Sequence, residues 1–197
     1  RRSSDQHIGR IDTRNDWAER RDLIAELRGA TTTCRLIAAA TANSMNVPAP
    51  SLGLVKPTIT RVRVTPGQPW NHAQLQKIEV ASRPDLFGDG LRPLEPMPYE
   101  VRYEYRCAQP GCRGHDQKVL DWELGQAGRR WQRRYGPDTI DQIRNRWADE
   151  MTAADRDLYF FIGNQHQHRG SFSVLGTWWP KQSTDQLGLF GTSDMNH

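Results

Sequence analysis

The sequence predicts an α+β fold: a mainly antiparallel sheet with a packed helix pair, a helical N-terminal arm and a flexible C-terminal tail. Three observations lead there. Residues 99–106 alternate Tyr99, Val101, Tyr103 and Tyr105 with Glu100, Arg102, Glu104 and Arg106, the period of a half-buried strand. Two apolar stripes at helical spacing follow, Leu124, Ala127, Trp131 and Tyr135, then Ile140, Ile143, Trp147 and Met151, separated by Gly136-Pro137. The remaining strand and helix signals come in mixed order with hairpins, without the repeated crossovers that build parallel sheets.

Taken in order, residues 1–15 are charged and polar with no apolar period. From Asp16 onward Trp17, Ile24 and Leu27 predict a helix with Asp16 as its N-terminal cap, and Gly29 with Thr31-Thr32-Thr33 interrupts it. A second short helix is expected over 34–42. The stretch 46–57 holds three Pro and one Gly and reads as a linker or extended arm. The expected organisation is therefore an arm and linker over 1–57, a core over 58–180 and a tail over 181–197. Inside the core, Ile59, Val62 and Val64 among Thr and Arg predict a strand, residues 71–81 a helix, and the Pro- and Gly-rich 82–98 a long loop. Asp138 is expected to cap the second helix of the pair. Residues 158–163 and 171–179 complete the core as strands around a polar turn over 164–170.

Composition narrows the function classes. The 27 Lys and Arg against 23 Asp and Glu leave a net charge of +4, which permits a polyanionic partner without demanding one. A mean hydropathy of -0.79, with no run near the roughly 18 uncharged apolar residues that span a bilayer, excludes a transmembrane segment. The opening Arg1-Arg2-Ser3-Ser4 lacks the apolar region of a secretory signal. Three cysteines, an odd number, argue against a disulfide scaffold and for a reducing compartment, so the expected location is the cytoplasm. P-loop, GxSxG and HExxH motifs are missing, which removes the usual support for ATPase, serine hydrolase and zincin chemistry.

Cys107-x4-Cys112-x2-His115 falls on the loop of an expected hairpin, where Pro110, Gly111 and Gly114 supply turns that let ligands converge. Zinc takes four tetrahedral ligands from thiolate and imidazole, and paired ligands two to four residues apart are the usual way to reach that geometry. The spacing predicts a zinc site, mainly structural, set against two reduced cysteines and a surface histidine. The fourth ligand is open among Cys34, His166, His168, Asp116, Asp121 and Glu123; water in that place would leave an open, catalytic metal.

Asp121-Trp122-Glu123 stands at a helix start, where carboxylates cap free N–H groups and meet the positive end of the helix dipole. The sharper alternative makes Asp121 and Glu123 magnesium ligands or an acid/base pair beside His166 and His168 of the polar turn. On the first of the two helices, Trp131 and Tyr135 are expected to face the core. Arg129 and Arg133 are expected to face away, available to nucleic-acid phosphates or simply solvated.

The tail is polar except for a compact apolar group in Gln186-Leu187-Gly188-Leu189-Phe190. A solvated tail gains nothing from three large apolar side chains unless they dock. This pentapeptide resembles the Q-L-[S/D]-L-F peptide by which bacterial polymerases, repair proteins and nucleases bind the replication sliding clamp. The resemblance implies polar contacts for Gln186, an apolar subpocket for Leu189 and Phe190, and a supporting role for Leu187; Gly188 departs from the preferred Ser or Asp. Asp85-Leu86-Phe87-Gly88 resembles the end of the same peptide without its leading residues. Cys107 to His115, Asp121-Trp122-Glu123 and Gly163-Asn164-Gln165 resemble uncharacterised bacterial proteins, which implies no activity. The expectation is a DNA-associated accessory protein delivered to the clamp, and the alternative is a metal-dependent nuclease or related hydrolase delivered by the same peptide.

Overall fold

The computed structural model describes residues 14–42, 48–84, 88, 90 and 93–182. Over them the chain is α+β, with two three-stranded antiparallel sheets. In chain order the elements are α1 (Arg14–Leu23), α2 (Thr33–Thr41), β1 (Leu52–Val55), β2 (Pro57–Pro66), α3 (His72–Ser82), β3 (Tyr99–Cys107), β4 (His115–Lys118), α4 (Trp122–Tyr135), α5 (Thr139–Arg144), β5 (Tyr159–Gln165) and β6 (His168–Trp178). One sheet runs β1-β5-β6 and the other β2-β3-β4. They meet beyond the end of β4, where the Leu120 N–H donates to the Val174 carbonyl at 2.7 Å and Val119 pairs with Val174 in a parallel bridge.

The alternation along β3 places its two faces in different solvents. Val101, Tyr103, Tyr105 and Cys107 are buried, and Phe160 of β5 lies 4.7 Å from the Tyr103 ring and 5.4 Å from the Tyr105 ring, so both sheets share one core. Removing an aromatic side chain from such a position costs about 3–5 kcal/mol, because a cavity is left as well as lost transfer energy. The Tyr103 hydroxyl donates to the Trp147 carbonyl at 2.6 Å, which satisfies it inside the core. On the outer face, Glu100, Arg102, Asp116 and Lys118 join Arg63 and Glu104 in one ion-pair ladder, with Arg102 Nε 2.8 Å from Asp116 and Lys118 Nζ 2.5 Å from Glu100.

The N-terminal part is not an arm outside a core that begins at residue 58. β1 pairs with β5 from Leu52↔Gly163 to Val55↔Phe160, and Leu36 and Ala40 of α2 lie in the central cluster with Val55. Pro48, Pro50 and Pro57 flank the strand instead of interrupting it, and proline at a strand border removes no ladder hydrogen bond. A Cβ on Gly53 would stand 2.5 Å from Leu36 Cδ1, so any larger residue there would require the Leu36 side chain of α2 to shift. α1 begins at Arg14, which puts Asp16 inside its first turn and not ahead of it.

The helix pair is present, with two changes of detail. Asp138 makes no side-chain cap; the Thr139 hydroxyl instead donates to the Gly136 carbonyl at 2.7 Å. α5 passes into a π-helical segment (Asn145–Glu150), and Ile143, Trp147 and Met151 are all buried. Each four-residue step of an α-helix rotates by about 40°, and the looser π turn takes part of that drift back, keeping the three on one side. No helix among the described residues is long and apolar enough to cross a membrane.

Candidate metal centre

β3 ends at Cys107 and β4 starts at His115, so a seven-residue loop presents three of the predicted ligands. Gly111 and Gly114 adopt φ of +75° and +102°, a region closed to most side chains, and the Cys112 N–H donates back to the Gln109 carbonyl at 3.1 Å. This tight turn brings Cys112 Sγ to 3.3 Å from His115 Nε2.

The fourth group comes from far up the chain. Cys34, in the first turn of α2, places its Sγ 3.5 Å from both Cys107 Sγ and His115 Nε2. The four ligand atoms lie within 4.8 Å of one another and could hold a metal ion. Metal–sulfur bonds of about 2.3 Å and metal–nitrogen bonds of about 2.0–2.1 Å, the values for zinc, give a tetrahedron with edges of about 3.5–3.8 Å. Three of the six separations, 3.3, 3.5 and 3.5 Å, lie within a few tenths of an ångström of those edges, and the other three are no longer than 4.8 Å.

Two local devices fix Cys34. Thr32 caps α2, its hydroxyl oxygen accepting from the Arg35 N–H at 3.2 Å. The Tyr105 hydroxyl donates to Gln117 Oε1 at 2.7 Å, and because its only proton is then committed, Thr33 Oγ1 donates to it across 2.9 Å. Thr33, Tyr105 and Gln117 are buried, so this relay bolts the helix start to β3 and β4 one residue from the ligand. The Tyr105 ring also packs 5.2 Å from the His115 ring, which sets the imidazole's orientation.

The thiols are electrostatically unequal. Burial raises the Cys107 thiol, but N–H groups of Cys34 and Gln109, together with His115 and Cys34 as side-chain partners, outweigh it and bring the group down to about 6. Cys34 is pushed up to about 12, first by burial and then by Cys107 and Cys112 beside it. Cys107 is thus poised to be a thiolate while Cys34 beside it resists a second negative charge. A divalent cation removes that conflict, since thiolate is the ligand form.

The other candidates go elsewhere. Asp116 lies on the outer sheet face, held by Arg102 and Arg63. Asp121 is the N-cap of α4, accepting from the Glu123 N–H at 2.8 Å, and burial raises its carboxyl above the usual range. Glu123 is exposed, and so are His166 and His168 at the β5–β6 turn. No hydrogen bond or ion pair links either carboxylate to either histidine, and among the described residues no metal-ligand group includes them. Arg129 does not face away into solvent. A Cβ on Gly125 would meet Met97 Sδ at 2.6 Å and one on Gly128 would meet Pro98 Cγ at 2.8 Å, so the segment before β3 lies directly on α4. That approach delivers the Glu95 carboxylate to Arg129 Nε at 2.8 Å and the Glu95 and Pro96 carbonyls to its Nη2. Arg133 is exposed. Gln186, Leu187, Leu189 and Phe190 of the tail peptide, with Asp85, Leu86 and Phe87, lie outside the described residues.

The fold and the site define a two-sheet α+β protein in which α2 and the β3–β4 hairpin converge on a Cys3His cluster. The chain belongs to the family described as Domain of unknown function (DUF8757), which matches residues 29–194 and so takes in both sheets, all four cluster residues and the tail peptide. No curated protein and no solved structure matches it.

Proposed function

We propose that the cluster holds one structural zinc ion and that the chain is a zinc-stapled binding module, delivered to DNA through its C-terminal peptide. The observation that carries the zinc assignment is four protein ligand atoms within 4.8 Å of one another. Soft thiolates with one imidazole favour zinc over magnesium or calcium, and a complete set of four protein ligands describes a structural site, whereas catalytic sites keep one position open. Cys34, Cys107, Cys112 and His115 would hold the ion, joining α2 to the β3–β4 hairpin.

Recruitment rests on the resemblance of Gln186-Leu187-Gly188-Leu189-Phe190 to the sliding-clamp peptide, with Leu189 and Phe190 as the apolar anchors. A binding role is favoured over the hydrolase because Asp121 serves as a helix cap and no hydrogen bond or ion pair joins Asp121 or Glu123 to His166 or His168. In this reading the protein works in the bacterial cytoplasm at the replication clamp.

The test has two arms on the intact chain. Elemental analysis should find about one zinc per chain, lost in Cys112→Ser. Calorimetry should show saturable binding to a bacterial clamp that Leu189→Ala with Phe190→Ala removes; truncating a pocket-filling anchor typically costs about 2 kcal/mol or more. Metal content and melting temperature should stay unchanged in that double variant. A metal-free, equally stable wild type overturns the zinc assignment, and wild-type heat indistinguishable from the double variant overturns recruitment.

A further inference from the structure

α4 shows solvent a face that its packing does not explain. Trp122, its first residue, is 73% exposed, although tryptophan is normally among the more buried side chains. At 100° per residue, Trp122, Gln126, Arg130 and Arg133 fall within about 80° of one another, forming one stripe along the helix. Gln126, Arg130 and Arg133 are exposed, and the two guanidinium groups make no ion pair or hydrogen bond among the described residues.

Two carboxylates lie near the stripe without pairing to Arg130 or Arg133. Glu95 is bound to Arg129, and Glu123, about 20° beyond Arg130 around the helix, lies about 10 Å before it along the axis. Beside the indole a cavity of about 370 Å³ opens between α4 and the segment before β3, with Leu94 and Met97 as its apolar wall and Gln126 and the Glu95–Arg129 ion pair as its polar one. A flat apolar surface at one end, an amide beside it, and two free cations about two and three turns beyond the indole match the chemistry of an unpaired nucleotide strand.

We infer that this face of α4 binds single-stranded nucleic acid: one base stacks on Trp122 over the cavity, and the backbone that follows runs past Arg130 and Arg133. The helical rise puts those residues about 12 Å and 16 Å beyond the indole, a reach of a few nucleotides. Stacking on an indole needs a base whose face is free, which a duplex does not offer. The Gln126 amide is placed to donate to or accept from the edge of the stacked base. This surface goes beyond the clamp reading and does not rest on the tail.

The test is fluorescence anisotropy of a labelled 15-nucleotide oligo-dT with the intact, metal-loaded protein over a range of salt. Wild type should bind, and more weakly as salt rises. Arg130→Ala with Arg133→Ala should weaken binding and flatten the salt slope by about 1.4, at about 0.7 per phosphate contact in a single strand. Trp122→Ala should weaken binding roughly 5- to 100-fold with the slope unchanged, and Trp122→Phe should recover most of the loss. Melting temperature and metal content report folding in each variant, and all three sites are exposed. Leu189→Ala with Phe190→Ala should leave oligonucleotide affinity intact, which separates this surface from clamp recruitment. Absence of binding, equal or tighter binding of a duplex of the same length, or an unaltered Trp122→Ala overturns the inference.

Discussion

Cys34 is the member of the cluster that the hairpin cannot supply, and for that reason the candidate metal site is a long-range device. Cys34→Ser should reduce bound zinc from about one equivalent to near none by elemental analysis and lower the melting temperature, since metal binding energy in structural sites is folding energy. Retention of zinc by that variant would place the fourth ligand elsewhere. Asp121 offers a second, independent test. Its carboxyl is raised by burial, so the stabilising form is the protonated one, complete below the unfolded-state value and lost as pH rises through the folded one. Asp121→Asn keeps the oxygen that caps α4 and discards the buried charge, so at pH 7 its urea midpoint should equal or exceed wild type. Asp121→Ala loses the cap and should fall by about 1 kcal/mol. A midpoint for Asp121→Asn as low as that of Asp121→Ala would mean that the charge itself is required.

Among the elements, those with local signals were readable. The alternation of β3 and the i, i+3, i+4 spacing of the helix pair are short-range consequences of burial on one face, and the knuckle shows in seven residues of loop between two ligands. β1 was hidden because three prolines surround it, and its pairing with β5 is a property of residues more than a hundred positions away. The contact that captures Arg129 was equally silent, because Gly125 and Gly128 read as weak helix formers until the partner that needs their missing side chains is known. The outer ladder of β2, β3 and β4 carries its own prediction. Burial acts to raise Asp116, but Arg102 and then Arg63 hold it below its ordinary value, and Glu100 is lowered against the same opposition by Lys118 and Arg102. Groups depressed in the folded state contribute stability that is present above the unfolded carboxylate range and is lost as pH falls through the folded values. Urea midpoints measured from pH 7 down to pH 3 should therefore fall less steeply for Asp116→Asn than for wild type. The gap should be small and shrink in high salt, because Asp116 is 43% exposed. A wild-type and variant profile that run parallel would remove the ladder from the acid response.

For the molecule as a whole, fold class was legible and ligand choice was not. Six groups were eligible for the fourth position, and only the placement of α2 against the hairpin, fixed by Thr33, Tyr105 and Gln117, selects Cys34. That placement also sets a timetable for the newborn protein. Cys34 and His115 are 81 residues apart, so a ribosome adding about 5–20 residues per second releases the first thiol about 4–16 seconds before the imidazole that completes its set. β1 must wait longer still for β5. During synthesis the segment that carries α2 and β1 is consequently a chain with an unpaired strand and a solitary thiol, exposed to stray oxidants and foreign ions, and β5 and β6, emerging later, are the strands that close it.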